Sequence, residues 1–264
     1  MKVRKVLSIA GSDCSGGAGI QADLKTIQAH NMYGMSVITS ITAQNTTGVY
    51  GVYDVTPEYV SKQIEAVFED IIPDAVKIGM VSNAGIIKEI TKSLKKYGVQ
   101  NIVADPVMVS TSGCMLLEQD AMEALIHELL PMAEVITPNI PEAEVLSGTK
   151  IISEDDMVKA AEIIYELNKT AVLIKGGHLK DSANDLLYAD GREEWFQAER
   201  VDNHNTHGTG CTLSSAIACG LAGKCTIRES VSNAKRYVYH AISAGLNLGK
   251  GDGPLWHNVE AITR

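Results

Sequence analysis

VRKVLSIAGSDCSGGAGIQADLKTIQAHN, residues 3–31, holds three local signals in a row. A β-prone run over 3–10 ends at Gly11, a glycine-rich loop SDCSGGAG follows, and IQADLKTIQAHN then places its apolar residues at helical spacing. Strand, glycine loop and helix in this order form the unit from which parallel sheets are built. The loop resembles a dinucleotide fingerprint, yet GxGxxG cannot be aligned on 15–19 and no acidic residue closes a second strand about 20 residues on. The match to a Rossmann cofactor site is therefore weak.

The same unit recurs along the chain. A β-rich run over 36–43 delivers Gln44 and Asn45 at its end, and 49–55 reads as a short strand or flap. Thr56, Pro57 and Glu58 mark a capped helix start that carries Val60, Ile64, Val67 and Phe68 on one face. Strands are expected at 75–79, ending at Met80, and at 101–107, ending in Asp105 and Pro106 with Val107. Between them, Asn83 to Tyr97 has helical periodicity stopped by Gly98. A helix through Met122, Leu125, Ile126 and Leu129 leads to a strand at 134–139; helices follow at 141–146 and 155–167, then a strand at 170–177 running into Lys175. An antiparallel hairpin at 185–197 turns at Asp190 and Gly191 and sits at a sheet edge, and helices over about 210–222 and 227–247 finish the pattern. The expected fold is α/β: a mainly parallel central sheet with helices on both faces and an edge hairpin, in one domain spanning 1–264.

Hydrophobic residues make up 45% of the chain and charged residues 21%, enough apolar content for a well-buried core. The formal charge of −9 supplies no basic stripe for nucleic acid or an anionic membrane, so neither partner is expected. No apolar run approaches the roughly 18 residues of a membrane span, and the N-terminal apolar stretch is too short for a signal peptide. A cytoplasmic location follows as an expectation. Cys14, Cys114, Cys211, Cys219 and Cys225 are odd in number and include no CxxC pair, so they read as reduced thiols rather than disulfides or a zinc site.

A second stretch, HNTHGTGCTLSSAIAC at 204–219, runs from the turn His207-Gly208-Thr209-Gly210 through Cys211 into a small-residue helix. The first N–H groups of such a helix lack carbonyl partners and glycines let an anion approach them, so 208–211 is a candidate anion site. The helix dipole is expected to favour the Cys211 thiolate, making it a candidate base; the alternative is a capped turn with a buried cysteine behind it. Asp13, Gln44, Met80, Asp105, Asn139, Glu142, Lys175 and Cys211 all fall at the carboxyl ends of expected strands, where open α/β sheets bind ligands. Each has a plain reading as well: Asp105 as a turn or N-cap residue, Glu142 as a first-turn carboxylate, Lys175 as a solvated strand end, Gln44 as a loop amide. Their convergence on one edge suits phosphoryl transfer, in which N–H groups and a lysine stabilise phosphate charge and carboxylates hold Mg²⁺. A nicotinamide oxidoreductase lacks its acidic ribose reader here. A cysteine hydrolase would pair Cys211 with His207 but has no orienting third group at recognisable spacing.

Seven motifs in order, AGSDCSGGAGIQADLKT (10–26), TSITAQNTTGV (39–49), VKIGM (76–80), VADPVM (103–108), ITPNIPEAE (136–144), IKGGH (174–178) and HGTGCTLSSAIA (207–218), resemble the hydroxymethylpyrimidine kinase / phosphomethylpyrimidine kinase family. The resemblance covers nearly the whole chain and implies the three-layer ribokinase-like fold of thiamin-biosynthetic enzymes, in the vitamin-kinase branch. It implies ATP and Mg²⁺ as cofactors, leaves a monovalent cation open, and suggests a homodimer. Two steps are implied: phosphorylation of 4-amino-5-hydroxymethyl-2-methylpyrimidine, then of its monophosphate to the diphosphate. Gln44 would bind the aminopyrimidine, with Gly11, Ala18, Met80 and Val107 shaping that pocket. Asp105, Asn139 and Glu142 would serve the Mg²⁺-phosphate region, with Asp105 and Glu142 as metal carboxylates. Lys175 would meet the ATP phosphates, and Gly208, Thr209, Gly210 and Cys211 would form the anion hole. Most sugar and nucleoside kinases of the fold carry Asp where this chain has Cys211, and cysteine there resembles the vitamin-kinase branch. A pyridoxine or pyridoxal kinase of the same branch is the alternative. Residues 45–55 and 109–118 are expected to act as flaps.

Overall fold

The computed structural model describes residues 3–108, 117–177, 184–197 and 201–259. Among these residues, nine strands form one sheet in the order β3-β2-β1-β4-β5-β6-β7-β8-β9. They are β1 (Lys5–Asp13), β2 (Tyr33–Asn45), β3 (Gly48–Asp54), β4 (Ala75–Ile78), β5 (Ile102–Ala104), β6 (Val135–Ile136), β7 (Ala171–Ile174), β8 (Asp185–Ala189) and β9 (Arg192–Phe196). β1 pairs in parallel with β2 on one side and β4 on the other, and β4 to β7 continue in parallel. β3 returns antiparallel on β2, and β8 and β9 close the opposite edge as an antiparallel hairpin. The strand order reverses at β1, which puts the ligand crevice of an open α/β sheet beyond its carboxyl end.

The helices are α1 (Gly19–Ala29), α2 (Pro57–Phe68), α3 (Ala84–Tyr97), α4 (Gln119–Ala124), α5 (Ile140–Ser147), α6 (Glu154–Asn168), α7 (Thr209–Ala222) and α8 (Ile227–Ser243). Successive strand residues point to opposite faces, so Leu7, Val76 and Val172 pack with α2, α3 and α6 while Val6, Val103 and Leu173 pack with α7 and α8. Local sequence sets the helix starts. Thr56, Asn83, Ser153 and Thr226 each accept a first-turn N–H through the side chain, and Gly98 ends α3 in the left-handed conformation.

Several boundaries differ from the periodicity reading: the strands expected at 101–107, 134–139 and 170–177 extend only over Ile102–Ala104, Val135–Ile136 and Ala171–Ile174. β1 and β2 run on into the glycine loop and to Asn45, because pairing between Ser12 and Asp13 and Ile41 and Thr42 continues past a register shift. The segment after α4 changes winding, through a π turn at Leu125–Leu129 to a 3-10 turn at Leu130–Met132, where Pro131 has no N–H for an α-helical bond. α8 stops at Ser243 rather than near 247, since Gly245 and Asn247 both take positive φ. The hairpin turn at Asp190 and Gly191 is as expected. Residues 109–116 of the second expected flap, together with Cys114 and His178, lie outside the described residues. Among the described residues, no helix is long and apolar enough to cross a membrane.

Candidate active site

The anion loop is shaped first by a close approach. Gly208 has φ +87°, and a Cβ there would lie 1.9 Å from the carbonyl oxygen of Gly17, so only glycine lets the two loops touch. Thr209 donates its N–H to Thr206 O at 3.2 Å and its hydroxyl to the same oxygen at 2.7 Å. Thr212 N–H takes Gly208 O. The N–H groups of Gly210 and Cys211 therefore remain without an acceptor among the described residues, and they, more than Thr209, are the donors open to an anion.

A strap from the last described segment fastens this turn. His207 N–H donates to Gly253 O and Gly253 N–H to His204 O, each at 3.1 Å. His257 Nε2 lies 2.9 Å from the Thr212 hydroxyl, and Tyr237 donates its hydroxyl to His257 O at 2.8 Å. Upstream, the N–H groups of Lys250 and Gly251 both reach Thr46 Oγ1, tying the strap to the β2–β3 hairpin.

Across the sheet edge, Asp105 follows β5 and Lys175 follows β7. Lys175 Nζ donates to Asp105 Oδ1 at 2.7 Å, and the same oxygen accepts the Thr137 hydroxyl at 3.0 Å. A Cβ on Gly210 would lie 3.3 Å from Lys175 Nζ and 3.5 Å from Asp105 Oδ2. The lysine, the carboxylate and the first turn of α7 thus meet at one point. Burial alone would raise the Asp105 carboxyl, but the Lys175 and Lys77 ammonium groups outweigh it and hold the carboxyl below the usual range. Burial likewise works against the Lys175 ammonium, and Asp105 with Glu142 keeps it charged.

Asn139 and Glu142 form a capping box at the start of α5: Glu142 N–H donates to Asn139 Oδ1 at 2.9 Å, and Asn139 N–H to Glu142 Oε2 at 2.8 Å. Burial pushes the Glu142 carboxyl up to about 7, with Lys175 opposing and Asp105 adding to the rise. Among the described residues no group of three or more His, Cys, Asp or Glu gathers to cage a metal. Mg²⁺ commonly uses one or two carboxylates plus phosphates and water, and Asp105 Oδ2, which accepts no hydrogen bond among the described residues, fits that role beside Glu142.

The residues expected on the acceptor side lie near the ends of β1 and β2 and beside the anion loop. A Cβ on Gly11 would sit 2.7 Å from Met80 Cε, so these two residues are in contact. Ala18 N–H donates to Asp13 Oδ2 at 2.9 Å, and Ala18 Cα would be 3.3 Å from a Cβ on Gly208, which places Ala18 against the anion loop. Val107 closes its N–H on Asp105 O at 2.9 Å. The Gln44 side-chain amide reaches within 3.3 Å of His207 Nε2, and the same nitrogen donates to Asp13 Oδ2 at 2.9 Å.

The expectation for the Cys211 thiol is corrected. Burial pushes it up, Asp23 and Asp105 add to the rise, and Lys77 only partly offsets it, so the thiol is held protonated at neutral pH. One helix terminus does not outweigh desolvation together with two carboxylates. His207 is committed to Asp13, while Cys211 takes the Gly19 N–H, which leaves the hydrolase pairing without support.

One group escaped the sequence reading. Lys77 on β4 is fully buried and bonds both oxygens of the equally buried Asp23 on α1, at 3.0 and 2.9 Å. Asp23 also accepts the hydroxyls of Ser8 at 2.5 Å and Ser215 at 2.8 Å. Ser215 lies one turn into α7 from Cys211, so this network underlies the anion loop. The signal was a lysine inside the apolar strand AVKI and an aspartate on the buried face of α1 beside Ile20 and Ile27.

The phosphomethylpyrimidine kinase family model matches residues 13–256. The hydroxymethylpyrimidine/phosphomethylpyrimidine kinase of Rhizobium meliloti is 52% identical over 255 residues, covering 95% of this chain and 96% of the relative. The crystal structure of phosphomethylpyrimidine kinase from Clostridium difficile is 53% identical with a TM-score of 0.82, over 90% of this chain and 99% of that one. The pyridoxal kinase of Staphylococcus aureus, in complex with AMP-PCP and pyridoxal, is 38% identical with a TM-score of 0.90, over 98% and 94% of the two chains. The sheet order, the two helix layers and these neighbours define a ribokinase-like α/β fold. By sequence match along nearly its whole length, the chain belongs to the phosphomethylpyrimidine kinase family.

Proposed function

We propose that this chain transfers the γ-phosphoryl group of ATP to the hydroxymethyl group of 4-amino-5-hydroxymethyl-2-methylpyrimidine, and then phosphorylates the monophosphate to the diphosphate, in thiamine biosynthesis. The observation that carries the reading is the meeting of Lys175, Asp105 and the open N–H groups of Gly210 and Cys211 at one sheet edge, opposite Gln44. Phosphoryl transfer needs positioning and charge stabilisation more than covalent chemistry. Lys175 and the two N–H groups stabilise charge on the transferring group. Asp105 and Glu142 would hold Mg²⁺, directly or through water, and Asn139 keeps Glu142 in place through the capping box. Mg²⁺, when bound, neutralises phosphate charge. Gln44 reads the aminopyrimidine, while Gly11, Ala18, Met80 and Val107 bound its ring. The protonated Cys211 thiol positions the acceptor hydroxyl, consistent with a loose transition state that needs little early proton transfer.

Val49, Tyr50, Val52 and Tyr53 stand exposed on the β2–β3 ribbon, which supports a homodimer formed through that face. The close superposition on a pyridoxal kinase favours a second reading, phosphorylation of pyridoxal. ATP turnover measured side by side with hydroxymethylpyrimidine, its monophosphate and pyridoxal separates the two. Both pyrimidines are expected to be turned over efficiently; pyridoxal as the only good substrate would overturn the first reading.

A further inference from the structure

His207, Asp13, Thr42 and Gln44 come together where the glycine loop, β2 and the start of α7 converge. Asp13 accepts the N–H groups of Gly17 at 3.1 Å and Ala18 at 2.9 Å, and both donor groups of Ser15. Burial would raise its carboxyl, but His207, Ser15 and Ala18 hold it well below the usual range. An ionised carboxylate only accepts hydrogen bonds, so His207 carries its proton on Nε2, the atom 2.9 Å from Asp13 Oδ2. The imidazole is locked in place: a Cβ on Gly17 would lie 2.3 Å from its Cδ2 and 3.1 Å from its Nε2, so the ring rests directly on that glycine.

This proton inventory decides the direction of the Gln44 amide, whose nitrogen and oxygen are told apart only by their partners. One terminal atom of the amide lies 3.3 Å from His207 Nε2, and the other lies 3.1 Å from Thr42 Oγ1. With nitrogen toward His207, N–H would face N–H. The single proton of Thr42 would also have to serve both the amide oxygen and Ser12 O, which sits 3.0 Å away. Turning the amide by half a revolution resolves both conflicts. Thr42 then donates to Ser12 O and accepts from the amide nitrogen, while the amide oxygen faces the His207 N–H.

We propose that His207 and Thr42 are positioning residues that fix the Gln44 amide with its oxygen toward His207 and its nitrogen toward Thr42, and that this direction selects which way round the aminopyrimidine ring is held. The proposal rests on Gln44 being the pyrimidine-binding residue. In this orientation Gln44 keeps one lone pair on the His207 side and one N–H on the Thr42 side for a ligand. The ring nitrogen must meet the N–H and the adjacent amino group must meet the oxygen. The hydroxymethyl-bearing carbon is the next ring atom beyond the amino-bearing one, so it lies farther toward His207, where Gly208 to Cys211 follow directly in the chain. The opposite amide would turn the hydroxymethyl group toward Thr42, away from the anion loop.

The test compares kcat/KM for the amino substrate with that for its 4-oxo counterpart, whose ring N–H beside a carbonyl presents the reversed pattern. The wild-type protein is expected to bind the 4-oxo compound yet phosphorylate it at least about a hundredfold less efficiently, because its best-paired pose turns the hydroxymethyl group away. In His207→Met the amide loses its director, and the amino-to-oxo ratio should fall about tenfold or more. His207→Gln, which restores an N–H within reach of Asp13, should recover most of the ratio. Thr42→Val removes the acceptor at the other end and should lower the ratio too, giving a readout even if His207→Met does not fold. A purely structural His207 would weaken both substrates alike, so an unchanged ratio in His207→Met and Thr42→Val would overturn the proposal. If Gln44→Ala raises KM for the amino substrate in that same case, Gln44 remains the pyrimidine reader and only the directing role fails. An unchanged KM in Gln44→Ala would remove the underlying reading and the proposal with it.

Discussion

Replacing Lys77 with methionine takes one charge out of a pair that is sealed from solvent. Asp23 would keep only the Ser8 and Ser215 hydroxyls as partners for a buried carboxylate. Removing one member of a buried ion pair costs about 3–5 kcal/mol, since the remaining charge is neither solvated nor neutralised. With an unfolding entropy of about 2.1 cal/mol/K per residue, a chain of 264 residues has about 0.55 kcal/mol/K to set against that loss. The expected fall in Tm is therefore roughly 5–9 °C, read by calorimetry at neutral pH. The double variant Lys77→Met with Asp23→Leu removes both charges, and an apolar replacement of a whole buried pair is often neutral or stabilising. It should recover to within about 2 °C of wild type. A Lys77→Met protein melting with the wild type, or a double variant no better than the single one, would refute the claim that the pair is coupled and desolvated. The double variant also separates stability from chemistry: it should fold well yet turn over slowly, because the Lys77 ammonium no longer supports the Asp105 carboxylate.

Gly210→Ala would set a methyl group 3.3 Å from Lys175 Nζ and 3.5 Å from Asp105 Oδ2; kcat should fall about tenfold or more while Tm holds or rises, alanine being the better helix residue, and a wild-type kcat would place the transfer elsewhere. Cys211→Ala should lower kcat and leave the KM for ATP unaltered, and full turnover in steady-state kinetics would remove the thiol from the mechanism. His257 is buried and its pKa is pushed down to about 4, mainly by burial. Between about pH 6.5 and 4 the unfolded chain binds a proton that the folded chain refuses, so stability is complete above the unfolded pKa and declines as pH falls, by up to about 1.4 kcal/mol per pH unit from this group. Urea titrations across that range should show the slope in wild type and a shallower one in His257→Gln; identical slopes would contradict the assignment.

Elements whose local pattern repeats were legible in the chain itself. The cap at Thr56, the Gly98 stop of α3 and the β8–β9 turn at Asp190 and Gly191 stand where composition put them, because each satisfies its own backbone within a few residues. That the candidate residues Asp105, Lys175 and Gly210 would share one edge was legible because a doubly wound sheet brings its strand ends together. What stayed hidden depends on distance in sequence. Nothing local to Cys211 tells that Asp23 and Asp105 lie near enough to raise its thiol rather than let the helix dipole lower it. Lys77 could have been found: a lysine in a four-residue strand otherwise apolar and wholly buried demands an acid, and Asp23 falls on the one face of α1 that could supply it.

The strap from Lys250 to His257 has a consequence for how the molecule comes into being. The donor for Thr46 is some 200 residues downstream of it, and the carbonyl that takes the His207 N–H belongs to Gly253. Contacts of such separation cannot form on a ribosome until the late segment has emerged, and they are slow to close even in the released chain. The sheet and the α2, α3 and α6 layer can assemble before then, whereas α8 ends at Ser243, only seven residues ahead of Lys250. A growing chain therefore acquires much of its body before the turn at His207 is fastened.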